Sequence, residues 1–364
     1  MTGSFHPLRW LVFLLVALPV VAAALAGVLS IAGNAESARA SLRAFRYLVT
    51  TEGLLLAAMA GIGAVYQARS TRHDRENYKP PGKLVDIGGG SHLHLYCSGD
   101  GGPTVVLDFG LDGSYLDWYR VQPQIAQFTH VCSYDRAGYG WSDPVTTPRL
   151  PSVMADELHG LLTAAGEKPP YILVAHSLGS FNALMFIHRH RDEVAGLVLV
   201  DGAHPDELLP FYFRKKVWLR MMQLAMPFGL PRWRGWCGSG PPEIAGMKRA
   251  IGCQSHVYAT HYAQWDAFPE SAAEVRNLGS LGDLPLIVIS RDPNRNSTSS
   301  DVVLADHEQH WIKLQRRLTG LSSRASHIVA GGSGHSIPAQ RPDVVCESVR
   351  QLVALSRGAS GSSE

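Results

Sequence analysis

The run YILVAHSLGSFNALMFIHRH constrains this chain more than any other segment, because an apolar β-type stretch stops at Ser177 and a helical pattern starts directly after it. Such a passage is a strand, one sharp turn and a helix. In a G-x-S-x-G turn the serine sits on strained backbone with its hydroxyl exposed, and small residues two before and two after it let strand and helix pass closely. Ala175 and Gly179 hold those places, and alanine, although it departs from the strict pattern, is small enough for the crossing. A serine before a helix is by itself an ordinary N-cap. The flanking strand and helix are what make this one specific.

Around that turn, β-rich runs alternate with helical patterns from Leu84 onward: LVDIG, SHLHLYCSG, TVVLDFG, HVCSYDRAG, YILVAHS, GLVLVDG, LPLIVIS and SHIVAGG. Gly88, Gly89 and Gly90 join the first two as a hairpin, and they lack the lysine and following helix of a phosphate loop. Segments such as SVMADELHGLLTAAG and RPDVVCESVRQLVALSR carry helical period between the later strands. The expectation is an α/β fold, a mainly parallel eight-stranded sheet with helices on both faces. The rhythm breaks between about residues 205 and 282, which reads as a helical cap inserted between the sixth and seventh strands. Its first half, LLPFYFRKKVWLRMMQLAMPFGLPRWRGW, mixes methionine and aromatics with bases. Three readings stay open for it: an apolar substrate cleft, a membrane interface, or plain packing on the core.

The N-terminal region, residues 1–82, is not globular. Trp10 to Ala32 is apolar and uncharged over a length that spans a bilayer core, too long for the usual signal-peptide core. A second stretch, Tyr47 to Tyr66, contains Thr50, Thr51 and Glu52, so it reads as a second span or an interfacial helix. QARSTRHDRENYKPPG then suits a juxtamembrane linker, the catalytic domain covers 83–357, and residues 358–364 read as a disordered tail.

Formal net charge is +2, with no basic blocks interleaved with aromatics, so nucleic acid is not an expected partner. Five cysteines show no C-x-x-C pairing, and neither a metal nor a cofactor is expected. Cys237 and Cys253 are close enough in sequence for a disulfide, which needs an oxidising compartment, or for two buried thiols. Spacing does not decide between these.

A serine hydroxyl needs a base to take its proton and a third group to orient that base. Of sixteen histidines, His335 in GGSGHSIPAQRPDVV fits best, in an exposed turn after the last strand. His327 lies inside that strand and packs there, His176 points elsewhere on the serine turn, and His307 and His310 lack a third ligand for a metal. For the acid, Asp201 directly ends the sixth strand in GLVLVDGAHP, while Asp292 follows the seventh beside Arg291. Asp201 is favoured, Asp292 is the alternative and Asp301 a remote third. Two backbone amides are needed for the oxyanion. Leu178 supplies one, and Leu111, after the close approach allowed by Gly110, the other.

The AHSLG elbow, the DFGL loop, the YDRAGYGWSD turn and the GSGH turn together resemble the α/β-hydrolase superfamily from Lys83 to Arg357. Typical members place the acid in a G-x-x-D turn after the seventh strand. SRDPN matches that poorly, which adds weight to Asp201. Serine at the elbow argues against haloalkane dehalogenases and epoxide hydrolases, which place aspartate there. In the family the YDRAGYGWSD turn shapes the floor, so Asp135, Arg136 and Ser142 are not assigned chemistry. The resemblance implies hydrolysis of an ester, thioester, lactone or amide of a small acyl substrate, in the manner of an esterase or lipase. A cofactor-free perhydrolase or transacylase is one alternative, and a non-catalytic membrane-anchored binding protein another. The segment VYQARSTRHDRENYKPPGKLVDIGG also looks like the start of membrane-anchored bacterial members, whose hydrolase domain usually lies outside the cytoplasm. Arg39, Arg43 and Arg46 on one side and Arg69, Arg72, Arg75 and Lys79 on the other barely discriminate topology. Two full spans with the N-terminus inside would instead leave the domain in the cytoplasm.

Overall fold

Valine, leucine and isoleucine runs buried on both faces become the centre of a parallel sheet, because only flanking helices can cover them. In the computed structural model, which describes residues 35–207, 211–294 and 302–361, eight strands form one sheet. They are β1 (Lys83–Asp86), β2 (His92–Ser98), β3 (Thr104–Asp108), β4 (Val131–Tyr134), β5 (Tyr171–His176), β6 (Val194–Val200), β7 (Leu286–Arg291) and β8 (Ala325–Ala330). Their order is β1-β2-β4-β3-β5-β6-β7-β8. β1 and β2 pair antiparallel, β2 runs antiparallel to β4, and β3 to β8 are parallel. The predicted hairpin and all eight predicted strands are present.

Every residue of β3, β4 and β7 is buried, as a two-sided sheet requires. Strand period 2 divides these residues between two cores. Val106, Leu173, Ala175, Leu197, Leu199 and Val288 meet helices α2 (Pro151–Ala165) and α3 (Gly179–Arg189) on one face. Val105, Ile172, Val174, Val198, Val200 and Ile289 meet Val345, Val349 and Leu352 of the C-terminal helix on the other. α2 opens with proline in its first turn and closes on Gly166 at φ +78°, a left-handed cap that costs glycine nothing.

Between β6 and β7 lie the helices α4 (Tyr212–Ala225), α5 (Ala245–Gly252), α6 (Val257–Asp266) and α7 (Phe268–Arg276). Leu219, Met222, Met226, Tyr258 and Trp265 form a small core of their own there, and a disulfide joins Cys237 to Cys253. A second disulfide, Cys97–Cys132, links residues that face each other on β2 and β4, a pairing that sequence spacing gave no sign of. α8 (Val302–Leu318) precedes β8, and α9 (Pro342–Gly361) is the last described element. The residues 358–361 expected in a disordered tail are therefore the last turn of α9.

The chain divides into two compact units, residues 1–70 with 227–230, and residues 71–226 with 231–364. Helix α1 (Ala35–Asn77) begins in the first unit and ends in the second. Among the described residues it is the one helix long and apolar enough to cross a membrane, and it contains the predicted 47–66 stretch. Leu54, Leu55, Met59 and Ile62 on it are exposed. The predicted 10–32 span lies outside the described residues. Sequence reasoning expected a linker after Tyr66, and the structure corrects this. Charged residues there favour helix, Arg72 pairs with Glu76 at 2.9 Å one turn on, and the helix stops only before Lys79-Pro80-Pro81-Gly82.

Candidate active site

Parallel strands put their C-terminal ends along one edge, and here those ends supply the polar groups. Ser177 directly follows β5 with φ +52°, a region that residues with a Cβ rarely occupy. The strain is held by hydrogen bonds on both sides. The Ser177 amide donates to the Val200 carbonyl at 3.1 Å, and its own carbonyl accepts from Ala203 at 2.9 Å and Ser180 at 3.1 Å. Gly179 is required two residues on, since a Cβ there would lie 2.6 Å from the Phe109 carbonyl oxygen.

Asp201 follows β6, fully buried and also at positive φ (+47°). His335 hangs from the loop after β8, with Nδ1 2.6 Å from Asp201 Oδ2 and Nε2 2.9 Å from Ser177 Oγ. Because an ionised carboxylate only accepts, Nδ1 carries the proton and Nε2 is left to accept from the serine hydroxyl. Burial alone would raise the Asp201 pKa. The hydrogen bond and charge of His335, the Arg291 guanidinium and the Trp311 indole outweigh it and hold the carboxyl at about 2.

Asp292, the alternative acid, does not meet His335. Its carboxylate accepts from the amides of Asn294 at 2.8 Å and Gly332 at 2.7 Å, so it ties the end of β7 to the loop that bears the histidine. The Gly332 bond, then that of Asn294, lowers its pKa. Asp301 lies outside the described residues.

Several residues around the site carried no sequence signal. Arg291, the last residue of β7, donates through its backbone amide to Asp201 Oδ1 at 3.1 Å and through Nη1 to Oδ2 at 2.9 Å. Glu308 grips the same guanidinium with both oxygens at 2.9 Å, and Trp311 Nε1 donates to Asp201 Oδ1 at 2.8 Å. His176 Nε2 donates to the His335 carbonyl at 2.8 Å, joining the serine turn to the histidine loop. Burial, then the nearby His335 charge, lowers the His176 pKa to about 4. His327 stays in β8 beside Ser290, 2.9 Å away, and His310 lies 3.3 Å from the Asp206 carbonyl. His307 is on α8.

Leu178 is the N-cap of α3, so its N–H has no intrahelical carbonyl to bond. Leu111 sits in the loop after β3, and both line the cleft at Ser177. A Cβ on Gly110 would lie 2.9 Å from the Ser177 Cβ, which measures how closely that loop approaches. Buried Arg136 of the YDRAGYGWSD turn clamps it. Its guanidinium bonds Asp108 Oδ1 at 2.5 Å and the carbonyls of Phe109 at 2.6 Å and Gly110 at 2.8 Å.

The cleft encloses about 320 Å³, with Leu111, Leu178, Ala203, Trp265, Phe268 and Trp311 as its apolar wall and Glu207 and Lys215 as charged groups. Burial drives the Glu207 pKa up to about 8. A larger hollow of about 660 Å³, lined by Leu184, His204, Arg276 and Arg317, does not include Ser177. Metal-type donors gather elsewhere among the described residues, at Cys97, His130, Cys132 and Glu167 and at His159, His190 and Glu193. The first group is tied up by its disulfide.

Residues 101–348 match the model of the alpha/beta hydrolase family. The chain is 25% identical over 264 residues to the uncharacterized protein YqjL of Bacillus subtilis, covering 72% of this chain and 88% of that one. It is 41% identical over 232 residues to an uncharacterized protein of Schizosaccharomyces pombe, covering 60% of this chain and 40% of that one. The likeness is thus not confined to bacteria. An esterase from Thermogutta terrifontis superposes with a TM-score of 0.54 at 19% identity, covering 74% of this chain and 96% of that one, a likeness of fold. Strand order, serine elbow and family match converge, and the chain belongs to the alpha/beta hydrolase family.

Proposed function

We propose that this protein is a serine hydrolase that cleaves ester-type bonds through an acyl-enzyme on Ser177. The observation that carries the reading is the unbroken hydrogen-bonded series from Ser177 Oγ through the His335 ring to buried Asp201. His335 takes the serine proton as Oγ attacks the acyl carbon, then returns it to the leaving group, and Asp201 holds the ring in the required tautomer and stabilises the imidazolium. The amides of Leu178 and Leu111 bind the developing oxyanion, each contributing on the order of 3 kcal/mol. Water activated by His335 then frees the acid.

The apolar wall of the cleft supports a small-molecule acyl ester as substrate, in the manner of a carboxylesterase or lipase. The two disulfides support a catalytic domain in an oxidising compartment, and α1 supports anchoring in a membrane.

The test is fluorophosphonate labelling of the detergent-solubilised full chain, with the adduct mapped by mass spectrometry. An adduct on Ser177, absent in Ser177→Ala and slowed by about a hundredfold or more in His335→Ala, is expected. A folded wild type that takes no label would sink the mechanism.

A further inference from the structure

Residues 211–236 carry six basic and no acidic residues among aromatics and methionines; Lys215, Lys216 and Arg232 pair with Asp112, Asp266 and Asp74, and Arg214, Arg220 and Arg234 are exposed. Packing on the core accounts for only part of that composition. In α4, Leu219 and Met222 turn inward, whereas Phe213, Val217, Met221 and Leu224 recur at helical spacing on the outside. Phe213 is 76% exposed and Met221 64%. Trp218, Trp233 and Trp236 in the same insertion are exposed as well, and Trp218 and Trp236 line one hollow together. The Arg234 guanidinium lies 5.2 Å from the Trp236 ring centre, and Arg214 lies 4.6 Å from that of Phe211. Large apolar side chains grouped with bases on an open face mark an interaction site rather than ordinary surface.

We propose that this face, centred on Phe213, Val217, Met221 and Leu224, docks on a lipid surface bearing anionic headgroups and draws its acyl substrate from that surface. The composition matches the occupant. Apolar side chains sink to the acyl boundary, and the exposed Arg214, Arg220 and Arg234 meet phosphate above them.

Two further observations favour a membrane over a protein partner. Arg232, in the same insertion, is bonded at 2.6 Å to Asp74 in the last turns of α1, shortly after that helix's apolar stretch in sequence. The insertion also connects the patch to the chemistry, because α4 presents Lys215, and α6 presents Trp265, to the cleft at Ser177.

The substrate half of the proposal rests on the serine hydrolase reading, and the docking half does not. The full chain, reconstituted in phosphatidylglycerol vesicles and labelled with an environment-sensitive fluorophore through Met221→Cys, should show blue-shifted emission quenched by brominated acyl chains. Phosphatidylcholine vesicles should give weaker quenching. Emission unchanged from that of a label on the exposed loop at Gly89 would overturn docking, as would a shift that tracks protein concentration rather than lipid, the mark of a second copy.

Activity supplies the second arm. Phe213→Asp combined with Met221→Asp should leave turnover of a water-soluble short-chain ester within twofold and lower that of a long-chain ester held in vesicles by tenfold or more. Equal losses on both, or on neither, would overturn delivery from the lipid. Wild type inert on both esters but quenched by brominated lipid would sink the hydrolase reading and leave docking standing.

Discussion

Asp201 accepts hydrogen bonds from the Arg291 amide, the Arg291 guanidinium and Trp311 besides the one from His335, so its position does not rest on one partner. Asp201→Asn should leave the backbone in place but favour the wrong imidazole tautomer, lowering kcat by about 10⁴ with little change in KM. Asp292→Asn, which only loosens the loop at Gly332, should cost far less. Steady-state kinetics on one ester separates the two, and equal losses would reopen the choice of acid. The pH dependence follows from the same residue. Its folded value of about 2 lies below the ordinary 3.8, so its ionisation stabilises the fold above roughly pH 4 and the gain is lost as pH falls through about 2. The contribution is on the order of 2 kcal/mol. Urea unfolding of wild type and Asp201→Asn should therefore differ most near neutrality and converge in acid.

The elbow shows how one element decides a site. A Cβ at Gly179 would meet only backbone, the carbonyls of Phe109 at 2.6 Å and Asp108 at 3.1 Å, neither of which can swing aside. Gly179→Ala should cost about 2 kcal/mol by overpacking, read as a lowered Tm. Gly110→Ala meets the Ser177 side chain instead, so its main effect should be slower fluorophosphonate labelling with the fold retained. The elbow, the eight strands and His335 were legible because each is local, a change of period or a glycine-rich turn after a strand. Asp201 could be favoured over Asp292 for the same reason, since it ends its strand directly. Arg291, Trp311 and Glu308 were not legible. Their contacts join residues far apart in sequence, such as the 110 positions between Asp201 and Trp311, and no periodicity encodes that. The end of α1 was misread because charge was taken as a sign of linker, when Arg72, Glu76 and their neighbours suit an exposed helix.

At the scale of the molecule, covalent ties compensate for the long insertion. The Cys237–Cys253 bridge closes a separation of 16 residues, and replacing both cysteines by serine should cost about 3 kcal/mol in the chain-entropy account. Thermal melts of wild type and the double serine variant would measure it, and an unchanged Tm would mean that the small core around Leu219 and Tyr258 holds alone. The order of the sheet has a consequence of another kind. The partner of Ser177 in the proposed mechanism lies 158 residues on and arrives only with the loop after the edge strand β8. A nascent chain would then carry its serine long before it could use it. Under the proposed mechanism, hydrolytic competence would be acquired at the docking of β8 and not before.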